Sequence, residues 1–482
     1  MTDAPGKTKM TPKDLMIVLV ISLGSFMAGL DATIVNIALP TIGKSFDVST
    51  VTVSWVLNAY LIVLVSLLLL ASKLGDIRGF KNLFLSGFAL FTLGSALCGL
   101  SPSIGFLVGA RMLQAAGGAV ISALGAVMVT SYLASSLRGQ ALGIVAMFTM
   151  LGAALGPVIG GFLTSVYSWP YIFYVNVPVG VVAIAMGIHI LPKLSPVSPG
   201  IRIDLVGVAL IFVALSSLIF GLTSVEGPAA LYGGISLVVS LLFWLIFLGW
   251  ERRSKNPLIN LGLFSNRAFT LQNFNVLFIQ LVMAGVMVLM PFYLELVKKI
   301  PTGTSGAILL ALPIGMILTA PISGKISDVI GTKKPIVAGF FICALAMFFL
   351  STLSAESSVG HVSIYLFLLG AGTGIAFSPL NSAVMGESPV KDRGASSGLV
   401  KMMTNLGSSI GVAVVALVAT AAIGPAFASA PAHTLKAADL AHAFDVTFMV
   451  LMVIEIVGII LMFGVAEGAG AASSDDEPLM AF

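Results

Sequence analysis

Residues 29–40 read "GLDATIVNIALP", and they place an aspartate inside a stretch that is otherwise apolar for the width of a bilayer. Insertion scales put the cost of an aspartate at the centre of a membrane helix at about 2.5–3.5 kcal/mol. An ionisable residue at such a position indicates a functional site. The stretch therefore predicts a membrane-spanning helix, and Asp31 is its first candidate functional residue.

The composition is that of an integral membrane protein. Of the 482 residues, 58% are hydrophobic and only 9% are charged, whereas soluble domains carry about 25% charged residues. The formal net charge of +4 is explained by basic residues on one membrane face, so nucleic-acid binding is not indicated. The two cysteines, Cys98 and Cys343, both fall in apolar segments, so no disulfide scaffold is predicted.

The hydropathy pattern predicts an all-α membrane fold. A helix needs about 20 apolar residues to cross the hydrocarbon, and closed β-barrels are excluded because their strands are shorter and alternate in polarity. Fourteen segments qualify, and we number them spans 1 to 14: 15–40, 52–72, 82–100, 104–130, 139–164, 172–191, 203–223, 230–250, 269–295, 305–324, 335–353, 362–387, 394–423 and 444–466.

The distribution of lysine and arginine predicts the orientation. An even number of spans puts both termini on one side of the membrane. That side carries 18 lysines and arginines and the opposite side carries 4, and basic residues mark the cytoplasmic side. We therefore expect a multi-pass protein of the cytoplasmic (inner) membrane with both termini in the cytoplasm, including a cytoplasmic N-terminal segment, 1–14, and a disordered tail, 467–482.

An internal repeat divides the chain into two halves. The loop "SKLGDIRGFK" at 72–81 resembles "GKISDVIGTK" at 324–333, an offset of 252, and "RGQALG" at 138–143 resembles "RGASSG" at 393–398, an offset of 255. The repeat predicts equivalent six-helix halves at 15–191 and 269–466, with an inserted helix pair, spans 7 and 8, at 203–250. Paired halves are typical of secondary transporters, which bind substrate near the midplane between the repeats.

Two charged residues of the first half are predicted to lie at similar depths. Arg111 is about 10 Å inside span 4, and Asp31 is about 24 Å along span 1, at 1.5 Å per residue. In a hydrocarbon core of about 30 Å, a direct or water-linked contact between them is expected. The structural alternatives are a helix-bend role for Asp31 and snorkelling of Arg111 to the interface.

Glu455 is a third ionisable group inside a span. It is about 16 Å into span 14, near the midplane, at 1.5 Å per residue. We assign it with Asp31 and Arg111 to the set of candidate proton-coupling and substrate residues, and we expect a protonated carboxyl that is bonded within the bundle. Other polar residues in the spans are predicted to line a cavity: Asn36, Trp55, Asn58, Tyr60, Gln114, Gln272, Asn275 and Asn381.

Two sets of residues are predicted to control conformational change. The repeated loops supply gate residues, namely Asp76, Gly79, Lys81, Asp328 and Gly331. In span 5, glycines spaced by four share one helix face that lets another backbone approach, and a proline there can kink the helix. These hinge and packing residues are Gly152, Gly156, Pro157, Gly160 and Gly161.

Enzyme motifs fail on their context. The "GASSG" at 394–398 fits a nucleophile pattern, but no strand precedes it, and no Walker lysine follows any glycine-rich loop. The four histidines are dispersed, and no metal-ligand spacing occurs. The sequence therefore predicts neither an enzyme nor a metal site, and no cofactor other than protons as the coupling ion.

Four motifs resemble those of one family. "LDATIVNIALP" at 30–40, "RMLQAAGGA" at 111–119, "GAALGPVIGG" at 152–161 and "WPYIFYVNVPVG" at 169–180 resemble motifs of the major facilitator superfamily, specifically its 14-span drug:proton antiporters. The resemblance implies that Asp31 takes part in proton coupling or cation recognition, that Arg111 supports proton exchange, and that Asp76 belongs to a gate.

The same resemblance implies a function. It favours a monomeric, proton-coupled antiporter in the lipid bilayer that exports small amphipathic, often cationic, drugs. A dedicated metabolite or lipid exporter on the same fold is an alternative, because fold does not fix substrate. A non-transporting membrane sensor is an alternative of another class, although it would not need a buried ionisable pair.

Overall fold

The computed structural model describes residues 10–193, 204–224, 230–254, 257–388, 393–424, 430–431, 434 and 436–465. Across these ranges, fourteen helices are long and apolar enough to cross a membrane, which confirms the predicted all-α fold and the number of spans. The predicted tail, 467–482, lies outside the described residues, as do residues 1–9 of the N-terminal segment.

The helices run as follows. Spans 1 to 5 are Pro12–Ser45, Thr50–Arg78, Phe80–Gly99, Ile104–Tyr132 and Ser135–Val166. Span 6 is Tyr171–Tyr174 with Asn176–Ile190, and spans 7 and 8 are Leu205–Ser224 and Ala230–Arg253. After a 3₁₀ turn at Leu261–Ser265, span 9 is Arg267–Phe292 with a π-helical turn at Tyr293–Val297, and span 10 is Thr302–Leu309 with Ala311–Ile330. Spans 11 to 14 are Lys333–Leu350, Val359–Gly386, Arg393–Ile423 and Ala437–Phe463.

Span 1 is longer than its apolar core at both ends. Thr11 and Asp14 form a reciprocal capping box around Pro12, the first helical residue, and this arrangement satisfies amide groups that have no partner within the helix. At the other end, the helix continues past Pro40 to Ser45. The local cap therefore moves the start to a residue that hydropathy alone does not select.

Glycine faces on spans 5 and 13 confirm the repeat in three dimensions. Span 5 packs against span 1, and span 13 packs against span 9. A Cβ atom on Gly152 would overlap the carbonyl oxygen of Phe26, and one on Gly407 would overlap that of Leu277. Gly407 follows Gly152 by 255 residues, the same offset as the "RGQALG" and "RGASSG" segments at the start of these two helices. The close backbone approach expected for the span-5 glycines is therefore present, and its partner is the helix that carries Asp31.

The repeated loops share a backbone conformation and a contact. Gly79 and Gly331, separated by the 252-residue offset, have φ values of 85° and 81°, a region that favours glycine. Lys81 donates hydrogen bonds to carbonyl oxygens at the end of span 6, including that of Leu191 at 2.6 Å. Lys333 donates equivalently to Val465, just after span 14, at 2.6 Å. Each loop lysine therefore fastens the last helix of its own half, where a cation is also favoured by the helix dipole.

The two halves meet at one end of the bundle. We call the end that carries residues 73–81 and 325–334 the basic end, and the other the far end. At the far end, a Cβ atom on Gly306 of span 10 would overlap the carbonyl oxygen of Pro157, and one on Gly161 would stand 2.7 Å from the carbonyl oxygen of Thr302. Spans 5 and 10 therefore close the far end between the halves.

The inserted pair packs against one helix of each half. Spans 7 and 8 pack against each other, and span 7 also contacts spans 2 and 13. Trp55 of span 2 lies 6.3 Å from Phe220 of span 7, measured between ring centroids. At the basic end, Lys73 donates to the carbonyl oxygen of Pro257, just after span 8, at 2.5 Å.

Candidate functional site

A buried ion pair joins spans 1 and 4. The Nη1 atom of Arg111 lies 2.9 Å from both carboxylate oxygens of Asp31. Asp31 is 0% exposed and Arg111 is 1% exposed, so this salt bridge is fully buried. The similar depths left a direct or a water-linked contact open, and the structure shows the direct one. Each charge offsets the desolvation cost of the other, which neither could bear alone in this environment.

Gln114 forms hydrogen bonds to both members of the ion pair and connects them to span 3. Its Nε2 donates to Asp31 at 2.9 Å and to the hydroxyl of Ser95 at 2.8 Å, and its Oε1 accepts from Arg111 at 2.6 Å. Asp31 therefore accepts from two donors, and a glutamine predicted only as a cavity residue belongs to the same network. The network is polar and buried, and in such surroundings an unmatched charge would be costly.

The guanidinium of Arg111 is held on its other sides as well. Its Nε donates to the carbonyl oxygen of Val56 at 3.2 Å. Its Cζ lies 4.1 Å from the ring centroid of Tyr60 and 5.7 Å from that of Phe173. A cation is attracted to aromatic faces at such distances. Arg111 thus has a carboxylate, a carbonyl, an amide and two rings around it.

Small residues make room for this network. A Cβ atom on Gly94 of span 3 would stand 2.6 Å from the Cα atom of Gln114, so the glycine brings spans 3 and 4 close enough for Ser95 to reach the amide. A Cβ atom on Gly118 would stand 2.8 Å from the hydroxyl of Tyr60. Gly94 and Gly118 therefore allow the close packing that holds Gln114 and Tyr60 beside Arg111.

The other predicted cavity residues divide by burial. Asn36, Asn58, Tyr60, Gln114, Gln272 and Asn275 are buried, whereas Trp55 and Asn381 are half-buried. Both amide atoms of Asn58 and Asn275 have no hydrogen-bond partner among the described residues. The Asn381 amide donates back to the carbonyl oxygen of Phe377 at 2.8 Å. Most of the set is thus enclosed in this conformation.

The structure fully describes four of the five predicted gate residues. Gly79 and Gly331 shape the two loops and Lys81 fastens span 6, as shown above. Asp328 is exposed at the basic end of span 10. The side chain of Asp76 lies outside the described residues.

Glu455 is buried but not bonded as expected. Its side chain is 0% exposed, and neither carboxyl oxygen has a hydrogen-bond partner within the described ranges. The expectation that it is bonded within the bundle is therefore wrong here. The helices packed on span 14 offer Asn275 nearby, whose Oδ1 would lie 3.1 Å from a Cβ atom on Gly458, but its amide is unbonded too. Depth along a span does not reveal which way a neighbouring amide points.

Sequence reasoning did not assign a role to Lys401. This residue lies in span 13, eight positions after the helix begins at Arg393, and its side chain is exposed. A charged residue inside a membrane span is itself the signal that could have identified it.

A polar cavity lies at the far end, where the halves meet. It is a cavity of about 530 Å³ whose lining includes Lys44, Glu295, Lys299 and Thr302. These residues come from spans 1, 9 and 10 and the turn between the last two. The cavity is separated from the Asp31 network, whose members are absent from its lining.

Comparison with known proteins places the chain among membrane transporters. The model of the family "Major Facilitator Superfamily" matches residues 21–203 and 204–412. The chain is 32% identical over 398 residues to the riboflavin transporter RibZ of Clostridioides difficile, covering 83% of this chain and 86% of that protein. It is 33% identical over 417 residues to the tetracenomycin C resistance and export protein of Streptomyces glaucescens, covering 85% of this chain and 76% of that protein.

Solved structures agree on the fold. A bacterial homologue of the human lysosomal transporter Spinster, in an inward-facing and unoccupied conformation, superimposes with a TM-score of 0.68 at 14% identity, covering 94% of this chain and 97% of that one. A D-xylose–proton symporter gives a TM-score of 0.67 at 14% identity, covering 95% and 99% of the two chains.

Proposed function

The chain belongs to the Major Facilitator Superfamily, and from that premise we propose that it is a proton-coupled antiporter that exports small amphipathic compounds across the cell membrane. In this proposal the basic end faces the cytoplasm, the protein works as a monomer, and the contact of spans 5 and 10 closes the external side. No resident cofactor is needed, since the proton is the coupling ion.

The buried Asp31–Arg111–Gln114 network is the observation that carries the proposal. A proton can drive exchange only if two conformations bind it differently. Here Asp31 accepts two bonds from Arg111 and one from Gln114. A conformation that separates spans 1 and 4 would remove those donors and leave the carboxyl group in different surroundings. The network therefore links protonation of Asp31 to the relative position of two helices.

Helix packing supports the coupling of that network to the rest of the half. Span 1 is locked onto the glycine face of span 5, where a Cβ atom on Gly156 would overlap the Thr33 side chain. Span 5 in turn forms the contact with span 10 that closes the far end. A displacement of span 1 at Asp31 would thus be transmitted through span 5 to the contact between the halves.

The contacts of Asp31 bear on the charge of the substrate as well as on proton coupling. The sequence favoured cationic compounds, attracted by Asp31. In this conformation both oxygens of Asp31 are bonded to Arg111, and a cation would have to displace that guanidinium to bind. In this conformation the geometry therefore does not favour direct recognition of a cationic substrate by Asp31.

A second candidate is a dedicated transporter of one metabolite. The relative named as a riboflavin transporter favours it, whereas relatives named for tetracenomycin C export and for multidrug resistance favour a role in export of toxic compounds. Both candidates use the same site and the same proton chemistry. They differ in how many unrelated substrates the protein accepts.

Proteoliposomes test the proposal. We would impose a pH gradient and follow three probes, riboflavin, the anionic dye fluorescein and the cationic dye pyronin Y, while a trapped pH indicator records proton movement. The proposal expects gradient-driven transport of at least one probe with proton flux in the opposite direction. Transport of riboflavin alone would favour the dedicated transporter. Transport that does not respond to the gradient and moves no protons would overturn proton coupling.

A further inference from the structure

Lys401 is a cation inside a membrane span with an exposed side chain. It lies about 12 Å from the start of span 13 at 1.5 Å per residue, deeper than the basic residues that mark the end of the bundle. Charged residues within spans face the bundle interior or a water-filled cavity, since lipid contact is costly for them. The position of Lys401 therefore indicates a cavity that is open to solvent on this side of span 13.

The residues that share its helix face are polar. Residues three, four and seven positions apart lie on one face of a helix, and the face around Lys401 carries Ser397, Thr404, Asn405 and Ser408. Ser397 is exposed and the other three are half-buried. The opposite face of span 13, with Leu399, Leu406 and Ala413, is buried in the half. A polar, accessible face of this kind suits water and solutes rather than lipid.

The internal repeat identifies the position in the first half that is equivalent to Lys401. The residue 255 positions before Lys401 is Ala146 of span 5. The glycine faces of spans 5 and 13 are rotated in the same way onto spans 1 and 9, so Ala146 and Lys401 face equivalent directions in the two halves. Around Ala146 the face is apolar, with Leu142 half-buried and Met150 exposed. The two equivalent faces therefore differ in character: the one on span 5 is apolar, and the one on span 13 is polar and cationic.

Lys401 is the accessible charge at this face, because the other interior charges are paired, buried or placed in the far-end cavity. Asp31 is neutralised by Arg111, and both are inaccessible. Glu455 is fully buried, and Glu295 lines the far-end cavity. Among the described residues, no hydrogen bond or ion pair to an acidic side chain occupies the ammonium of Lys401. A cation on an accessible polar face attracts an anionic group.

We propose that Lys401 is an anion-binding subsite of the transport cavity, so that the preferred substrate is an amphipathic anion. An apolar ring system would pack against the apolar face of span 5, while a carboxylate, sulfonate or phosphate group would accept hydrogen bonds from the Lys401 ammonium and the hydroxyls beside it. The proposal rests on the proposed transport function and gives its substrate the opposite charge to the one that the sequence favoured.

Dye binding to the purified protein tests the charge preference. Fluorescein and pyronin Y share a xanthene ring but carry opposite charges, and fluorescence polarisation measures the affinity of each in detergent. We expect fluorescein to bind more tightly to the wild type. Lys401→Met should weaken fluorescein binding by about tenfold, which corresponds to ~1.4 kcal/mol, and should leave pyronin Y binding unchanged or stronger. Lys401→Arg should keep the preference, because it keeps the charge.

Lys325→Met is the matched control. Lys325 is an exposed lysine near the basic end of span 10, so its replacement removes one positive charge without touching the span-13 face. It should not change the ratio of the two affinities. The proposal is overturned if Lys401→Met leaves that ratio unchanged, if it weakens both dyes equally, or if Lys325→Met changes the ratio as much. These binding measurements need no pH gradient, so their failure leaves the separate test of proton-driven transport intact.

Discussion

The hydroxyl of Thr33 donates a hydrogen bond to the carbonyl oxygen of Ala153 at 2.9 Å, from span 1 to span 5. Ala153 is the residue four positions before Pro157, which lies inside span 5. Because proline has no amide hydrogen, it leaves this carbonyl without its partner in the helix. Thr33 supplies the missing donor from the neighbouring helix, two residues after Asp31.

The second half also has a hydroxyl that donates to a carbonyl oxygen left unpaired by a proline. Pro379 lies inside span 12, and the carbonyl oxygen four positions earlier belongs to Ile375. That oxygen accepts a hydrogen bond from Ser323 of span 10 at 2.6 Å. Neighbouring helices and hydroxyl side chains are expected to satisfy groups that prolines free within a membrane. In both halves the proline therefore also fixes the register of a helix pair.

Removal of the Thr33 hydroxyl should loosen the contact between spans 1 and 5. Thr33→Val keeps the shape of the side chain but leaves the Ala153 oxygen buried without a donor, so we expect a loss of about 1 kcal/mol of stability. Thermal unfolding in detergent measures it. Thr130→Val is the control, since Thr130 is exposed and bonds only within its own turn, to Val127. Equal melting temperatures for the two variants would contradict the prediction.

Span 5 should tolerate alanine at one of its glycines and not at another. An alanine at Gly156 would overlap the Thr33 side chain, whereas Gly143 in the same span has no atom within 4 Å of an added Cβ. Overpacking costs about 1–3 kcal/mol, so Gly156→Ala should lower both the melting temperature and the transport rate. Gly143→Ala should be neutral or slightly stabilising, because alanine is the better helix former. A normal transport rate in Gly156→Ala would show that the two helices can separate without loss.

The sequence was sufficient for the features that depend on position along the chain. Apolar length gave the fourteen spans, repeated loops gave the two halves, and similar depths brought Asp31 and Arg111 together. Contacts that depend on rotation about a helix axis were not accessible in this way. Ser95, Thr33 and the exposed face around Lys401 needed the packing of their helices, and the bonding expected for Glu455 failed for the same reason.

Glu455 is predicted to be dispensable for coupling despite its burial. Among the described residues, no hydrogen bond or ion pair to Glu455 is formed, so the carboxyl is expected to keep its proton, because a buried unpaired charge is very costly. Glu455→Gln preserves a neutral group of similar size, so gradient-driven transport should be retained. Proteoliposome transport of the variant at normal expression checks this. Complete loss of proton coupling would place Glu455 with Asp31 in the coupling set.

The orientation of the protein in the membrane is a further prediction, made from the distribution of charge. The basic end carries most of the lysines and arginines, and the positive-inside rule places it in the cytoplasm. A reporter that is active only outside the cell, fused after Phe482, should therefore be silent, whereas a reporter that fluoresces only in the cytoplasm should be bright. Insertion of the external reporter at Ser357, in the far-end loop after span 11, should give activity. The opposite pattern would reverse the proposed direction of transport.

The coupling role of Asp31 can be separated from its structural role with a paired variant. Asp31→Asn cannot ionise, and it leaves Arg111 buried without its countercharge, which costs about 3–5 kcal/mol. We therefore expect this single variant to unfold at a lower temperature and to lose proton-driven transport. The double variant Asp31→Asn with Arg111→Gln removes both charges, so it should recover much of the stability, since a neutral replacement of a buried pair is often tolerated. It should still show no proton release when a transported probe is added to purified protein in weakly buffered detergent. Proton release by the double variant equal to that of the wild type would show that the coupling proton binds elsewhere, and the Asp31–Arg111 pair would then serve only to hold spans 1 and 4 together.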